Sequence, residues 1–186
     1  MTVKDIYANH EDKMKKALDV MRKEYSSLRA GRATPALLEK ITVDYYGTPT
    51  PVNQVANIAV PEPRMLTIQP WEKPMLGTIE KAILKSDLGL TPNNDGSVIR
   101  LTIPQLTQQR RQELVKVVHK KAEECRVAVR NLRRDGNEAI KKLEKDHTVS
   151  EDEAKKGQDD IQKLTDKYIK EIDHVMAVKE KEIMEV

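Results

Sequence analysis

The 186-residue chain carries 33 Lys and Arg against 30 Asp and Glu, is 34% charged and only 3% aromatic, and holds nine Pro, one Trp, one Cys and no Phe. This composition argues against an aromatic-rich core, a cofactor pocket built on ring stacking, a disulfide framework and a cysteine-rich metal site. No run approaches the apolar length of a membrane span and residues 1–11 lack the pattern of a secretion signal, so the sequence reads as that of a cytoplasmic protein in reducing surroundings.

From the N-terminus, Met14, Ala17, Leu18, Met21, Tyr25 and Leu28 recur at steps of three and four and predict a first amphipathic helix. All nine prolines then lie between Pro35 and Pro104, and five of the seven glycines lie between Gly31 and Gly96. Pro breaks helices and Gly weakens them, so residues 31–104 cannot form one long helix, whereas the flanks can be almost entirely helical. Charge divides in the same way: residues 31–104 hold 7 basic and 7 acidic side chains, the flanks 26 and 23. A compact module is therefore expected between the crossings Ala30-Gly31 and Pro104-Gln105, inserted into a helical domain formed by residues 1–30 and 105–186.

Inside the module, residues 41–46, 55–60, 65–69 and 98–103 are short, rich in β-branched side chains and bounded by turn residues, which predicts strands. Residues 75–86 carry Leu76, Ile79, Ile83 and Leu84 at helical spacing and predict one helix across the sheet. Trp71 is expected to pack within the module. Two crossings of chain allow a hinge there, because flexion needs dihedral change at only a few residues.

Beyond the module, a second stripe runs Leu114, Val117, Val118, Ala122, Cys125, Val129, Leu132, Ala139, Ile140, Leu143, and a third runs Ala154, Ile161, Leu164, Tyr168, Ile172, Val175. Ser150 with Glu153 predicts a capping box between them. Three one-sided helices can bury their apolar faces only against one another, so the fold class is α+β: a long three-helix bundle with an inserted small β/α/β domain.

The net charge of +3 conceals a segment, residues 105–134, with 9 basic and 3 acidic side chains, and another, residues 135–186, with 10 and 15. At 100° per residue, Arg126, Arg130 and Arg133 fall within an arc of about 60° beside the apolar stripe, extended by Lys116, Lys120 and Arg134 and interrupted by Glu123. An arginine ladder suits a phosphate backbone, and with so few rings the shape of structured RNA is the better target than stacked bases. A solvated helix face explains the same pattern, and the spacing alone leaves both readings open. His10, His119, His147 and His174 are scattered without metal spacing, no Gly-rich phosphate loop or nucleophile setting occurs, and Cys125 falls on the apolar stripe as an inert thiol. No enzyme, cofactor or metal is expected.

The segments Arg29-Ala-Gly-Arg-Ala-Thr-Pro35, Tyr45-Tyr-Gly-Thr-Pro-Thr-Pro51, Ser86-Asp-Leu-Gly-Leu-Thr-Pro-Asn93, Arg126-Val-Ala-Val-Arg-Asn-Leu-Arg-Arg-Asp135 and Gln158-Asp-Asp-Ile-Gln-Lys-Leu-Thr-Asp166 occur in an order and spacing that closely resemble the ribosome recycling factor family. The resemblance implies an L-shaped monomer about the size of a tRNA. It implies binding to large-subunit ribosomal RNA across the aminoacyl and peptidyl sites of the post-termination ribosome, and subunit splitting driven by elongation factor G with GTP. It carries RNA contact onto Arg133, Arg130, Arg110 and Arg29, joined by Arg126 of the arc, and hinge roles onto Gly31, Arg32, Ala33, Pro104 and Gln105. Gly136 departs from the family, where Ala is more frequent, and is expected to loosen the helix beside the arginines. Without the resemblance, a coiled-coil interaction protein or RNA chaperone fits the periodicity equally well.

Overall fold

The computed structural model describes residues 1–28 and 31–185. Its elements, in chain order, are α1 (Val3–Ser26), β1 (Thr42–Tyr45), β2 (Thr48–Pro51), β3 (Ala56–Glu62), β4 (Met65–Pro70), α2 (Met75–Lys85), β5 (Asn93–Asn94), β6 (Ile99–Thr102), α3 (Gln108–Lys145) and α4 (Glu151–Met184), with short 3-10 turns at Pro35–Leu38 and Val52–Gln54. The chain divides into two compact units: Met1–Arg29 with Gln108–Val186, and Ala30–Thr107.

The first unit is a bundle of α1, α3 and α4. α1 opens with a complete capping box that periodicity alone does not reveal: Thr2 Oγ1 accepts from the Asp5 N–H at 3.1 Å, and Asp5 Oδ2 accepts from the Thr2 N–H at 2.8 Å. At Ser150 half of the expected box is made, the hydroxyl accepting from the Glu153 N–H at 3.1 Å. α3 closes through His147 in the left-handed region (φ 59) and a Thr148 N–H bond to the Leu143 carbonyl at 2.9 Å, which caps orphan carbonyls and turns the chain into α4. With 38 and 34 residues, α3 and α4 are about 57 and 51 Å long.

The bundle core follows the three stripes and lengthens the first, which begins at Ile6 and includes His10, only 8% exposed. His10 Nδ1 lies 2.8 Å from the Ile6 carbonyl; that oxygen can only accept, so Nδ1 carries the proton. Tyr25 donates its hydroxyl to the Val118 carbonyl at 2.6 Å and so pins α1 to α3, while burial pushes its phenol up to about 12. Gly136, expected from its propensity to loosen the helix, sits buried on the core stripe. A Cβ there would lie 2.7 Å from Ile161 Cδ1, and one at Gly157 would lie 2.6 Å from Val3 Cγ1. Both glycines let neighbouring helices approach more closely than Ala would.

The second unit holds a four-stranded antiparallel sheet in the order β3-β4-β6-β5 and a separate β1-β2 hairpin. α2 covers them by burying Met75, Leu76, Ile79 and Ile83 against Leu66, Ile68, Ile99 and Leu101, whereas Leu84 is exposed. Tyr46 and Gly47, with φ of 51 and 84, form the tight turn between β1 and β2. Trp71, expected to pack inside, is 67% exposed; its backbone N–H is fixed to the Val55 carbonyl, and the residue lines a groove together with Pro35, Asn53 and Asn57.

Both crossing segments are anchored on one turn of this unit. The Ala33 N–H donates to the Pro63 carbonyl at 2.8 Å and the Ile103 N–H to the Arg64 carbonyl at 2.7 Å, with Ala33 and Ile103 buried. Gly31, at φ 74, approaches the second segment: a Cβ on it would stand 3.1 Å from Leu106 Cγ. These contacts keep residues as far as Thr107 with the second unit, three beyond the crossing expected at Pro104, and α3 starts at the next residue.

Candidate nucleic-acid interface

The basic arc lies on the flank of α3 that faces α4. Three α3 side chains at heptad spacing, His119, Arg126 and Arg133, look across the seam toward Glu180, Asp173 and Asp166, which recur at the same interval in the opposite direction. The first two rungs are closed. His119 Nε2 lies 2.9 Å from Glu180 Oε2, and Arg126 gives Nε and Nη2 to Asp173 Oδ1 at 2.9 and 2.7 Å. Arg126 also donates to Glu123 Oε2 at 3.0 Å, lies 3.5 Å from Met176 Sδ, and its side chain is only 17% exposed. Its hydrogen bond, with a smaller contribution from Arg130, holds the Glu123 carboxyl below the ordinary glutamate range. This arginine joins the helices and has little left for a ligand.

Outward from that rung the cations become available. Arg130 shares Glu123, with Nη1 to Oε1 at 3.3 Å, and its side chain stays 43% exposed. Arg133 is half-buried; its Nη1 reaches only the neutral Gln162 Oε1, at 3.5 Å. Among the described residues no carboxylate lies within ion-pair distance of Arg133 or the exposed Arg134. Lys116 and Lys120 are likewise exposed on this side of α3.

Two other expected contacts are not gathered here. Arg110 stands about 160° around α3 from Arg130 at 100° per residue, at the opposite flank of the core stripe and about 30 Å along the axis. It donates to Glu113 Oε2 at 3.1 Å. Arg29 and Ala30 lie outside the described residues. Next to Arg110, and not anticipated, Arg111 takes the first core position of α3 at 8% exposure, with its Nε lacking a partner among the described residues. Its methylenes pack while the end of the guanidinium reaches outward. Only the phase of the stripe, extended one turn upstream of Leu114, points to it.

Among the described residues no group of three or more His, Cys, Asp or Glu could hold a metal ion, and no helix is long and apolar enough to cross a membrane. Cys125 donates its thiol to the Ala17 carbonyl at 3.5 Å, and burial pushes the thiol up to about 11. The native protein is therefore expected to resist iodoacetamide at neutral pH and to react once unfolded; stoichiometric labelling of the folded protein within minutes, read by mass spectrometry, would contradict the assigned packing.

Known proteins match along the whole chain. The family model described as Ribosome recycling factor matches residues 21–184. The ribosome-recycling factor of Carboxydothermus hydrogenoformans is 64% identical over 184 residues, covering 99% of this chain and 100% of the relative. That of Heliobacterium modesticaldum is 66% identical over the same span. A solution structure of the ribosome recycling factor aligns at a TM-score of 0.79 with 47% identity, covering 100% of this chain and 99% of that one. A second, a model of the Thermus thermophilus ribosome recycling factor with elongation factor G of Escherichia coli on the E. coli post-termination complex, aligns at 0.65 with 46% identity and full coverage of both chains.

Proposed function

The chain belongs to the ribosome recycling factor family, and we propose that the α3 flank carrying Arg130, Arg133 and Arg134 is the face it sets against large-subunit RNA. As a member it is a non-enzymatic translation factor that acts with elongation factor G and GTP to split the post-termination ribosome. The observation that carries the residue assignment is the third rung of the α3–α4 seam, where Arg133 meets an amide in place of a carboxylate. A guanidinium left without a counter-charge at a half-buried, fixed position is ready to take a phosphate with two parallel donors, at little loss of freedom.

Arg126 serves that face by holding α3 to α4, while Arg29 and Arg110 enter the proposal on the resemblance alone. The face lies across the aminoacyl and peptidyl sites, and the protein works as a monomer in the cytoplasm. Energy comes from the GTPase, so this chain needs stiffness in the bundle and freedom at the crossings. The first is supported by helices of 38 and 34 residues that bury side chains along most of their length, the second by Gly31 at positive φ beside Arg32, Pro104 and Gln105, all three exposed. Ala33, buried and hydrogen-bonded to Pro63, belongs to the fixed side of the hinge.

Light scattering of post-termination ribosomes tests the function, since splitting must require this protein, elongation factor G and GTP together. A tether placed between the two units is expected to leave ribosome binding within about twofold while slowing splitting by an order of magnitude or more. Full splitting by the tethered protein would remove the hinge from the mechanism.

A further inference from the structure

The α3–α4 seam has a fixed register. His119 meets Glu180 and Arg126 meets Asp173, and one heptad further the same register brings Arg133 opposite Asp166. That ion pair is absent. Asp166 Oδ1 is occupied by Gln162 Nε2 at 3.0 Å, one turn earlier on α4, and the other end of the same amide presents Oε1 to Arg133 Nη1 at 3.5 Å.

We propose that Gln162 is a positioning residue that holds Asp166 away from Arg133 and so keeps the third rung open for an RNA phosphate. The chemistry requires an amide. Its NH2 group donates to the carboxylate while its oxygen accepts from the guanidinium, so one side chain contacts both without carrying charge. A glutamate at this position would only accept and would neutralise Arg133 directly, and an aliphatic side chain would leave Asp166 free to swing to the cation. Gln162 and Asp166 are both exposed, so an ion pair formed there would be modest. RNA binding would nevertheless have to break it. This inference rests on the interface proposed above.

The test is a double-mutant cycle on the full chain, with affinity for vacant large ribosomal subunits measured over a range of salt concentrations. Gln162→Ala is expected to weaken binding about threefold to fivefold, and Gln162→Glu at least as much, with helicity unchanged. Asp166→Ala alone is expected to be neutral or slightly tighter, and in the Gln162→Ala background it is expected to restore affinity to within about twofold of wild type. Rescue by deletion of a second side chain is an outcome that a merely structural role for Gln162 does not produce. If Arg133→Ala weakens binding but Gln162→Ala and Gln162→Glu do not, or if Asp166→Ala fails to rescue, the positioning role is overturned while the interface stands. If Arg133→Ala itself leaves affinity unchanged, the interface falls and this role falls with it.

Discussion

Arg133→Ala is expected to weaken binding to the large ribosomal subunit by about 1–3 kcal/mol, roughly fivefold to a hundredfold, and to lower the slope of log affinity against log salt by about one. The size follows from the site. Arg133 is half-buried, so its guanidinium is partly ordered before it meets RNA, and among the described residues its one hydrogen-bond contact is a 3.5 Å approach to a neutral amide. Little is lost on leaving that contact and a charge-assisted pair of hydrogen bonds is gained. Because the side chain stands beside the core stripe, circular dichroism and the urea midpoint should stay at wild-type values. Unchanged affinity together with unchanged subunit splitting would refute the assignment. Arg126→Ala should behave differently. It removes two bonds to Asp173 and one to Glu123, so any loss of binding should come with a loss of stability.

The second large effect lies in the core. Ile161 is fully buried, and Ile161→Ala is expected to cost about 2–5 kcal/mol in urea unfolding. Its terminal methyl also explains why position 136 is glycine. Gly136→Ala should gain about 1 kcal/mol of helix propensity, yet the new methyl would stand 2.7 Å from Ile161 Cδ1, inside any real contact distance. In the wild-type background these terms oppose each other and the substitution should be near neutral or destabilising. With Ile161→Val, which lacks Cδ1, the same substitution should stabilise by up to about 1 kcal/mol, and the two changes should couple by at least about 0.5 kcal/mol. Strict additivity would show that propensity alone decides and that the close approach of α3 and α4 at this point is unimportant.

How far the sequence led can be judged from particular residues. The three helices were legible because one-sided apolar stripes at steps of three and four arise from little else, and the strands 42–45, 56–62, 65–70 and 99–102 because β-branched runs were bounded by Gly, Pro and Asn. β2 was hidden by its own composition: Thr-Pro-Thr-Pro lacks two backbone donors, which an outer strand of a two-stranded hairpin tolerates and a central strand would not. β5, two residues long, has no periodicity to detect. The arginine arc was visible as spacing, but which arginine is spent on structure was not, since the partner of Arg126 lies 47 residues away on another helix. Even so, a usable signal existed. A short turn between two long helices fixes which positions face each other, and the matching heptads 119, 126, 133 and 180, 173, 166 stand in the sequence. The role of Gly136 could not be read at all, because propensity describes an isolated helix and the close approach of Ile161 is a property of packing.

The exposed ring of Trp71 has a practical consequence for anyone measuring this protein. It is the chain's single tryptophan and belongs to the smaller unit, so indole emission reports on that unit alone, whereas far-ultraviolet circular dichroism is dominated by the three long helices. The two optical signals therefore observe different parts of one polypeptide, and a single unfolding free energy is meaningful only where their transitions coincide. With the ring already 67% exposed in the folded state, its emission should shift little on denaturation, and a flat fluorescence trace must not be taken for a protein that has stayed folded.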